Sequence, residues 1–207
     1  MAKLKGNIDG PVSGKLKNVV FYERYGNTYV RAAPVTNEDT WNDEQRMLRR
    51  RISTLSAFWR ALKSVQFSKV WNTAAQKMNG YAWFVKANMP ALQRDGSLID
   101  AVLLKMSDGS LPVPQKLLAE RVEGETDVIR LSWQNDPHSN RERLNDELMM
   151  ISYGNQQFSP ITATGLKRSQ LGGTFALPAK PAEATHVFLF MASADKEKYS
   201  ESCSFAV

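Results

Sequence analysis

The sequence predicts an α+β protein in which an N-terminal β-hairpin arm and helices precede an antiparallel β-sandwich. Three observations predict this class. β-branched and aromatic residues flank a glycine turn near the N-terminus, apolar residues recur at helical spacing between 40 and 79, and short alternating segments fill the C-terminal half. We expect the hairpin arm and helical region at 1–96, a connector at 97–110 and the β-sandwich at 111–207.

The arm is predicted from two strand-like segments on either side of a turn at Gly26. The two segments are Asn18–Arg24 and Thr28–Ala32. In such a hairpin Val19 and Phe21 would lie on one face, and Val20 and Tyr22 on the other. A lone hairpin is only marginally stable in water, so this one should pack on the helices, on the tail or on another subunit. Because both of its faces are apolar, we predict that Val19, Phe21 and Tyr22 contact another chain or a larger assembly.

Two consecutive amphipathic helices are predicted between Thr40, which suits an N-cap, and Asn79. Their apolar positions step by three and four residues. These positions are Leu48, Ile52, Leu55, Trp59 and Leu62 in the first helix, and Phe67, Val70, Trp71, Ala74, Ala75 and Met78 in the second. We expect Asn79 and Gly80 to end the second helix, and a shorter third helix to run as far as Pro90.

Four arginines lie opposite the apolar stripe of the first helix. They are Arg46, Arg49, Arg50 and Arg60. A solvated polar face is the ordinary interpretation of such a pattern. The alternatives are a face that contacts nucleic-acid phosphates, and a face that contacts acidic residues of a neighbouring subunit. Those acidic residues would be Glu120, Glu123, Glu125 and Asp127. Because Trp59 and Trp71 lie on the apolar side, we expect nucleic-acid binding here to rest on phosphate contacts alone.

The C-terminal part is predicted to be a sandwich because short strand-like segments follow one another closely. The segments are Lys116–Val122, Asp127–Gln134, Leu148–Tyr153, Ile161–Leu166, Thr174–Leu177, Thr185–Ala192 and Ser202–Val207. Leu111–Pro114 is expected to be an extended linker into this domain. Trp133 is the expected core residue, and the segment around Phe188 and Phe190 is expected to be a central strand because it is apolar on both faces.

Composition and motifs exclude several function classes. Neither His138 nor His186 lies at a metal-ligand spacing, and no nucleophile motif is present, so we expect no enzyme activity, no cofactor and no metal. The single cysteine, Cys203, cannot form an intrachain disulfide. The N-terminus lacks the apolar region of a secretion signal, and no stretch is long enough to span a bilayer.

Charge is distributed unevenly along the chain. Residues 1–94 hold 16 Lys and Arg against 6 Asp and Glu, a net charge of +10. Residues 95–207 hold 11 Lys and Arg against 15 Asp and Glu, a net charge of −4. This asymmetry indicates two modules with different partners, or attraction between opposite halves of neighbouring subunits.

The arm and the helices also resemble a known family. The pattern GPVSGK at Gly10–Lys15 is followed by NVVFYERYGNTYVRAAP. The further matching positions are Gln45, Arg49, Trp59, Leu62, Trp71, Ala74, Ala75, Phe84, Asn88 and Gly96. This order resembles an uncharacterised family, a domain of unknown function, encoded in gut-type bacteria and in phage and prophage genomes. The sequence departs from the family pattern at Leu16-Lys17 and after Pro34.

The resemblance implies a glycine-rich hairpin arm, helices and an Ig-like or fibronectin-type-III-like C-terminal domain. It also implies a non-enzymatic structural or interaction protein, a capsid or tail accessory component of a phage or prophage particle. The expected partners are other copies of the chain or other virion proteins in an oligomer or larger assembly, and the expected location is the virion or the bacterial cytoplasm. The alternative is a nucleic-acid-binding protein that uses the basic N-terminal half.

Overall fold

The computed structural model describes residues 2–3, 13–24, 26–35, 41–75, 77–125, 127–135, 141–181 and 183–207. The chain divides into two compact units. We call Met1–Asn42 the arm and Asp43–Val207 the body. The predicted N-cap residue Thr40 and the histidine His138 lie outside the described residues.

The arm is a four-stranded antiparallel sheet in the order β1-β4-β3-β2. Its strands are β1 (Ala2–Lys3), β2 (Gly14–Leu16), β3 (Val19–Arg24) and β4 (Asn27–Ala32). The predicted hairpin is confirmed as the β3–β4 pair, whose turn includes Gly26 at a φ of +70°, a conformation that glycine adopts without strain. Two short outer strands extend this hairpin into a sheet.

Three helices open the body: α1 (Asp43–Leu62), α2 (Val65–Ala74) and α3 (Gly80–Asn88). A 3₁₀ turn at Met89–Ala91, which contains Pro90, follows α3. The prediction that Asn79 and Gly80 end the second helix is wrong. The side chain of Asn79 accepts a hydrogen bond from the Ala82 amide at 2.8 Å, so Asn79 is the N-cap of α3 and Gly80 is its first residue.

The apolar stripes of the first two helices are largely confirmed. Leu55, Phe67, Val70 and Trp71 are fully buried. Each predicted stripe has one end that is not buried. Leu48, near the start of α1, is 48% exposed, and Met78, which lies beyond the end of α2, is 42% exposed.

The predicted mixed α+β class with antiparallel sheets is confirmed, and the seven predicted strands of the C-terminal part are present with small shifts of their ends. The strands are β5 (Gln115–Arg121), β6 (Val128–Gln134), β7 (Glu147–Gly154), β8 (Gln157–Phe158), β9 (Thr162–Lys167), β10 (Gly172–Ala176), β11 (His186–Ala192) and β12 (Cys203–Ala206). One sheet has the order β10-β6-β5. The other has the order β12-β11-β7-β8, with β9 also paired to β7.

The five-stranded sheet is the middle layer of the body. On one side its residues Val187, Leu189 and Met191 share a core with Ile129 and Trp133 of the three-stranded sheet. On the other side, Phe188, Phe190, Met149 and Ile151 share a core with the helices. As predicted, β11 is a central strand, and it is buried on both faces because each face has its own covering layer.

The structure divides the chain differently from the expected boundaries at 96 and 111. The expected connector 97–110 contributes Leu104 and Met106 to the core beneath the helices. Leu111, at the start of the expected linker, is 6% exposed, and its amide donates to the Tyr199 carbonyl at 2.9 Å. The helices and the two sheets therefore form one compact unit. Across the described parts of the chain, none of the helices is long and apolar enough to cross a bilayer.

Candidate functional site

Catalytic or metal chemistry requires titratable side chains that converge on one place. Within the described residues, no three His, Cys, Asp or Glu side chains converge to hold a metal ion. His186 has its Nε2 3.8 Å from the Asp100 carboxylate, and its Nδ1 lies 2.9 Å from the Thr185 hydroxyl. Burial raises the pKa of the Cys203 thiol, which disfavours the thiolate that a nucleophile needs.

A buried ion pair joins Arg168 and Asp146, which are 2% and 3% exposed. The Nε of Arg168 lies 3.4 Å from Oδ2 of Asp146, and Nη2 of Arg168 donates to the Pro112 carbonyl at 2.7 Å. Burial raises the pKa of Asp146 and lowers the pKa of Arg168, because desolvation outweighs the attraction between the two charges. The pair connects three chain segments, which is a structural role.

A pocket of about 280 Å³ lies beside this ion pair. Its charged lining residues are Glu142, Arg143, Asp146, Asp195 and Lys198. Both acidic and basic groups line it, and Asp195 already accepts a hydrogen bond from the Ser193 hydroxyl at 2.5 Å. The pocket therefore has no single sign of charge that would select a ligand.

The four predicted arginines of α1, Arg46, Arg49, Arg50 and Arg60, are all exposed. From Arg46 to Arg60 there are 14 residue-to-residue steps along one helix, which corresponds to about 21 Å along its axis. The Nε of Arg60 donates to the Ser56 carbonyl at 3.3 Å. Arg51, at the edge of the stripe, is half-buried and donates to the Met89 carbonyl instead. The helix therefore presents a basic surface, which we call the α1 arginine face, made of these four residues.

The arm has two chemically different faces, which become visible once its strands are paired. Residues that pair across an antiparallel sheet lie on the same face. Val19 pairs with Leu16 and Ala32, and Phe21 pairs with Val30. We call this set the apolar face of the arm. Val19, Phe21 and Val30 are half-buried, and Leu16 is 64% exposed.

The opposite face of the arm is basic and aromatic. Tyr22 pairs with Tyr29, and the two rings stack with centroids 5.6 Å apart. Val20 pairs with Lys15 on one side and with Arg31 on the other. The Arg31 guanidinium lies 5.9 Å from the centre of the Tyr22 ring. Arg24, two residues beyond Tyr22, lies on this face too. We call these six residues the basic tyrosine face.

The predicted contact residues Val19, Phe21 and Tyr22 therefore lie in the same sheet but not on the same face. The segment that forms β3 is apolar on both faces when taken alone, and the sequence therefore predicted two apolar faces. Lys15, Tyr29 and Arg31 were not predicted as site residues, because they become neighbours of Val20 and Tyr22 only after β2 and β4 are paired with β3. The turn at Gly26 largely determines the register of the hairpin, and the register determines which residues of β4 pair with β3. The register is therefore the sequence signal that could have identified Tyr29 and Arg31.

Comparisons with known proteins give no further guide: no family model, no curated protein and no solved structure matches this chain.

Proposed function

We propose that the chain is a non-enzymatic structural subunit that assembles through the apolar face of its arm. The observation that supports this proposal is that strands β2, β3 and β4 of the arm contain no buried residue. Val19, Phe21 and Val30 nevertheless form an apolar row across the sheet. Isolated small sheets with an apolar face are stabilised by covering that face. A second subunit is the cover that an assembly protein would supply.

The particle we propose is a phage or prophage particle, in which the chain is a capsid or tail accessory component. Support for this comes from the resemblance of the arm and helices to the uncharacterised phage and prophage family. The gene would then lie beside genes for capsid, portal or tail proteins. A neighbourhood that contains only metabolic genes would contradict this assignment, while leaving assembly through the arm intact.

We also propose that the two body sheets form an Ig-like or fibronectin-type-III-like sandwich. If β5, β6, β7, β10, β11 and β12 are named A, B, C, E, F and G, the sheet orders become E-B-A and G-F-C. Ig-type domains arrange these strands in the same way, and extra strands between C and E join the sheet that contains C. Here β8 and β9 lie between C and E in sequence and pair with β7. Core residues from both sheets meet, as in a sandwich.

Assembly is tested by light scattering after size-exclusion chromatography at low and high salt. We expect the wild-type chain to be oligomeric at both, because burial of apolar surface is not weakened by added salt. Val19→Thr, Phe21→Thr and Val30→Thr together keep β-favouring side chains but remove the apolar row, and should shift the protein towards monomers. The matched control replaces three exposed apolar residues of the body, Val65, Leu118 and Leu171, by threonine. A monomeric wild-type protein, or equal effects of the two variants, would contradict the proposal.

A second candidate function is binding of nucleic acid by the α1 arginine face. The observation that favours it is the exposure of all four arginines along about 21 Å of one helix. Binding of this kind would rest on phosphate contacts and would weaken steeply as salt rises.

A further inference from the structure

We propose that the basic tyrosine face of the arm binds single-stranded nucleic acid. This inference goes beyond assembly, because it uses the face of the sheet opposite to the apolar face. It also differs from the second candidate function, because it uses a different surface and a different form of nucleic acid.

The two tyrosines lie side by side at the centre of the arm sheet. Tyr22 lies on β3 and Tyr29 on β4, which are the two central strands of the four-stranded sheet. Neighbouring aromatic rings on the central strands of a sheet form a platform on which unpaired bases stack. Stacking of this kind tolerates any base sequence, because every base has a flat aromatic face.

Three basic side chains lie on the same face of the sheet as the tyrosine pair. Lys15, Arg24 and Arg31 are exposed on this face, at three different edges of the tyrosine pair. Lys15 and Arg31 flank Val20 on opposite sides, so they lie two strand spacings apart, which is about 10 Å. Cations on several sides of an aromatic platform suit a phosphate backbone that runs past stacked bases.

Acidic charge is separated from this face among the described residues. Glu23 is the only acidic residue in the described part of the arm. It pairs with Thr28 and lies on the opposite face from Tyr22. The described charges on the basic tyrosine face are therefore all positive, which favours a polyanion over a mixed-charge protein surface.

The geometry also favours a single strand over a duplex. Stacking requires bases that are unpaired and accessible, and a duplex keeps its bases paired and stacked on one another. The tryptophans of α1 and α2 do not offer such a platform, since Trp71 is buried and Trp59 packs against Phe67 and Phe84.

The test is fluorescence anisotropy of the full chain with a labelled oligothymidylate of about 20 nucleotides, longer than the roughly 4–16 nucleotides that one such site covers. We expect binding that weakens about 10- to 20-fold between about 50 and 200 mM KCl, the change expected for three cationic contacts to a single strand. A duplex of the same length should bind less tightly. No binding at the lower salt, or tighter binding of the duplex, would overturn the proposal.

Variants separate stacking from charge. Tyr22→Leu with Tyr29→Leu should weaken binding at least about fivefold, the lower end of the range for loss of one stacked base. Tyr22→Phe with Tyr29→Phe keeps both rings and should bind as the wild type does, which guards against a fold defect in the leucine variant. If the leucine variant binds as tightly as the wild type, or the phenylalanine variant binds as weakly as the leucine variant, the tyrosines are not the platform and the proposal fails.

Charge is tested with a matched pair of variants. Lys15→Gln, Arg24→Gln and Arg31→Gln together should abolish most of the salt dependence. The control removes three exposed positive charges from the body, at Lys116, Arg130 and Lys167, and should leave binding within about twofold of the wild type. An equal loss in both variants would show a general charge effect and overturn the site. If the wild-type chain binds phosphatidylserine vesicles and does not bind the oligonucleotide, the face is assigned to membranes instead and the proposal is overturned.

Discussion

The indole Nε1 of Trp133 donates a hydrogen bond to the backbone carbonyl of Arg168 across a distance of 3.0 Å. This bond ties β6 of the three-stranded sheet to the segment that joins β9 and β10. Trp133 is 4% exposed and packs between the two sheets of the body. One side chain therefore contributes both core volume and a link between sheet layers.

Replacing Trp133 should measure these two contributions separately. Trp133→Ala removes a large buried ring and should lower the free energy of unfolding by about 3–5 kcal/mol. Trp133→Phe keeps most of the ring but loses the hydrogen bond, and should cost less than Trp133→Ala. Urea denaturation of the full chain provides the measurement. A cost below about 1 kcal/mol for Trp133→Ala would mean that the ring is not part of a packed core.

The Asp146–Arg168 pair should respond strongly to loss of one partner. Arg168→Met leaves the Asp146 carboxylate buried without its partner, and should cost about 3–5 kcal/mol. Asp146→Leu with Arg168→Met removes both charges and should be more stable than either single replacement. A double variant that is less stable than both single variants would show that the pair itself is the main source of stability.

The same pair gives a pH dependence with a definite sign. Burial raises the pKa of Asp146 above its unfolded value of about 3.8, so the folded state holds the proton more tightly. The stability gained by protonation is full below the unfolded pKa and is lost as pH rises through the folded pKa. The free energy of unfolding of the wild-type chain, relative to that of Asp146→Asn, should therefore increase as pH falls towards about 4. Urea titrations of both proteins would test this, and a relative free energy that decreases over that range would contradict it.

The contact of Gly80 with α2 leaves no room for a side chain. A Cβ at Gly80 would lie 2.6 Å from the side-chain Oδ1 of Asn72 and 2.7 Å from the backbone nitrogen of Asn72. The Gly80 amide donates to that same Asn72 oxygen at 2.9 Å. Gly80→Ala should therefore force α3 away from α2 and cost about 1–3 kcal/mol, although alanine favours helix formation. Thermal unfolding would report the cost, and a variant as stable as the wild type would show that the helices separate freely.

This contact also shows what local sequence could not predict. An Asn-Gly pair after an apolar stripe is compatible with a helix end and with a helix start. The helix start at Gly80 is stabilised by Asn72, eight residues away, whose side chain accepts a hydrogen bond from the Gly80 amide. By contrast, β6 was predictable residue by residue, because alternation of Ile129, Leu131 and Trp133 with polar residues needs only one buried face.

The order of the layers in the body could not be predicted from the sequence for a related reason. Alternation identified β11 as apolar on both faces, yet it could not say what covers each face. Phe188 packs with the helices and Val187 with the other sheet, and both contacts join residues far apart in the chain. In the arm, β3 was predicted, but its chemistry depended on the strands beside it, because Arg31 and Lys15 decide the character of the face that holds Val20.

The shared middle sheet predicts how fragments of the chain behave. Residues 111–207 alone would expose Phe188, Phe190, Met149 and Ile151, which the helices cover in the body. We expect this fragment to bind a hydrophobic dye and to aggregate, whereas residues 43–207 should unfold in a single cooperative transition. Circular dichroism with dye fluorescence would separate the two outcomes. A soluble 111–207 fragment with a cooperative transition would show that the sandwich folds without the helices.

Replacement of the α1 arginine face decides between its alternative roles. Glutamine at Arg46, Arg49, Arg50 and Arg60 should change the unfolding midpoint little, because exposed charges contribute weakly to stability. The remaining question is whether the face meets nucleic acid or the acidic residues of a neighbouring subunit. Those acidic residues, Glu120, Glu123, Glu125 and Asp127, are all exposed at one end of the three-stranded sheet.

We expect the acidic neighbour, because attraction between copies needs no partner other than the chain itself. The glutamine variant should then assemble less well than the wild type, while retention of the wild-type chain on duplex DNA stays weak. Light scattering and a DNA column calibrated with heparin give the two readings. A variant that assembles normally but loses duplex DNA retention would assign the face to nucleic acid. Because the basic tyrosine face is unchanged in this variant, binding of the single-stranded oligonucleotide should be retained in either case.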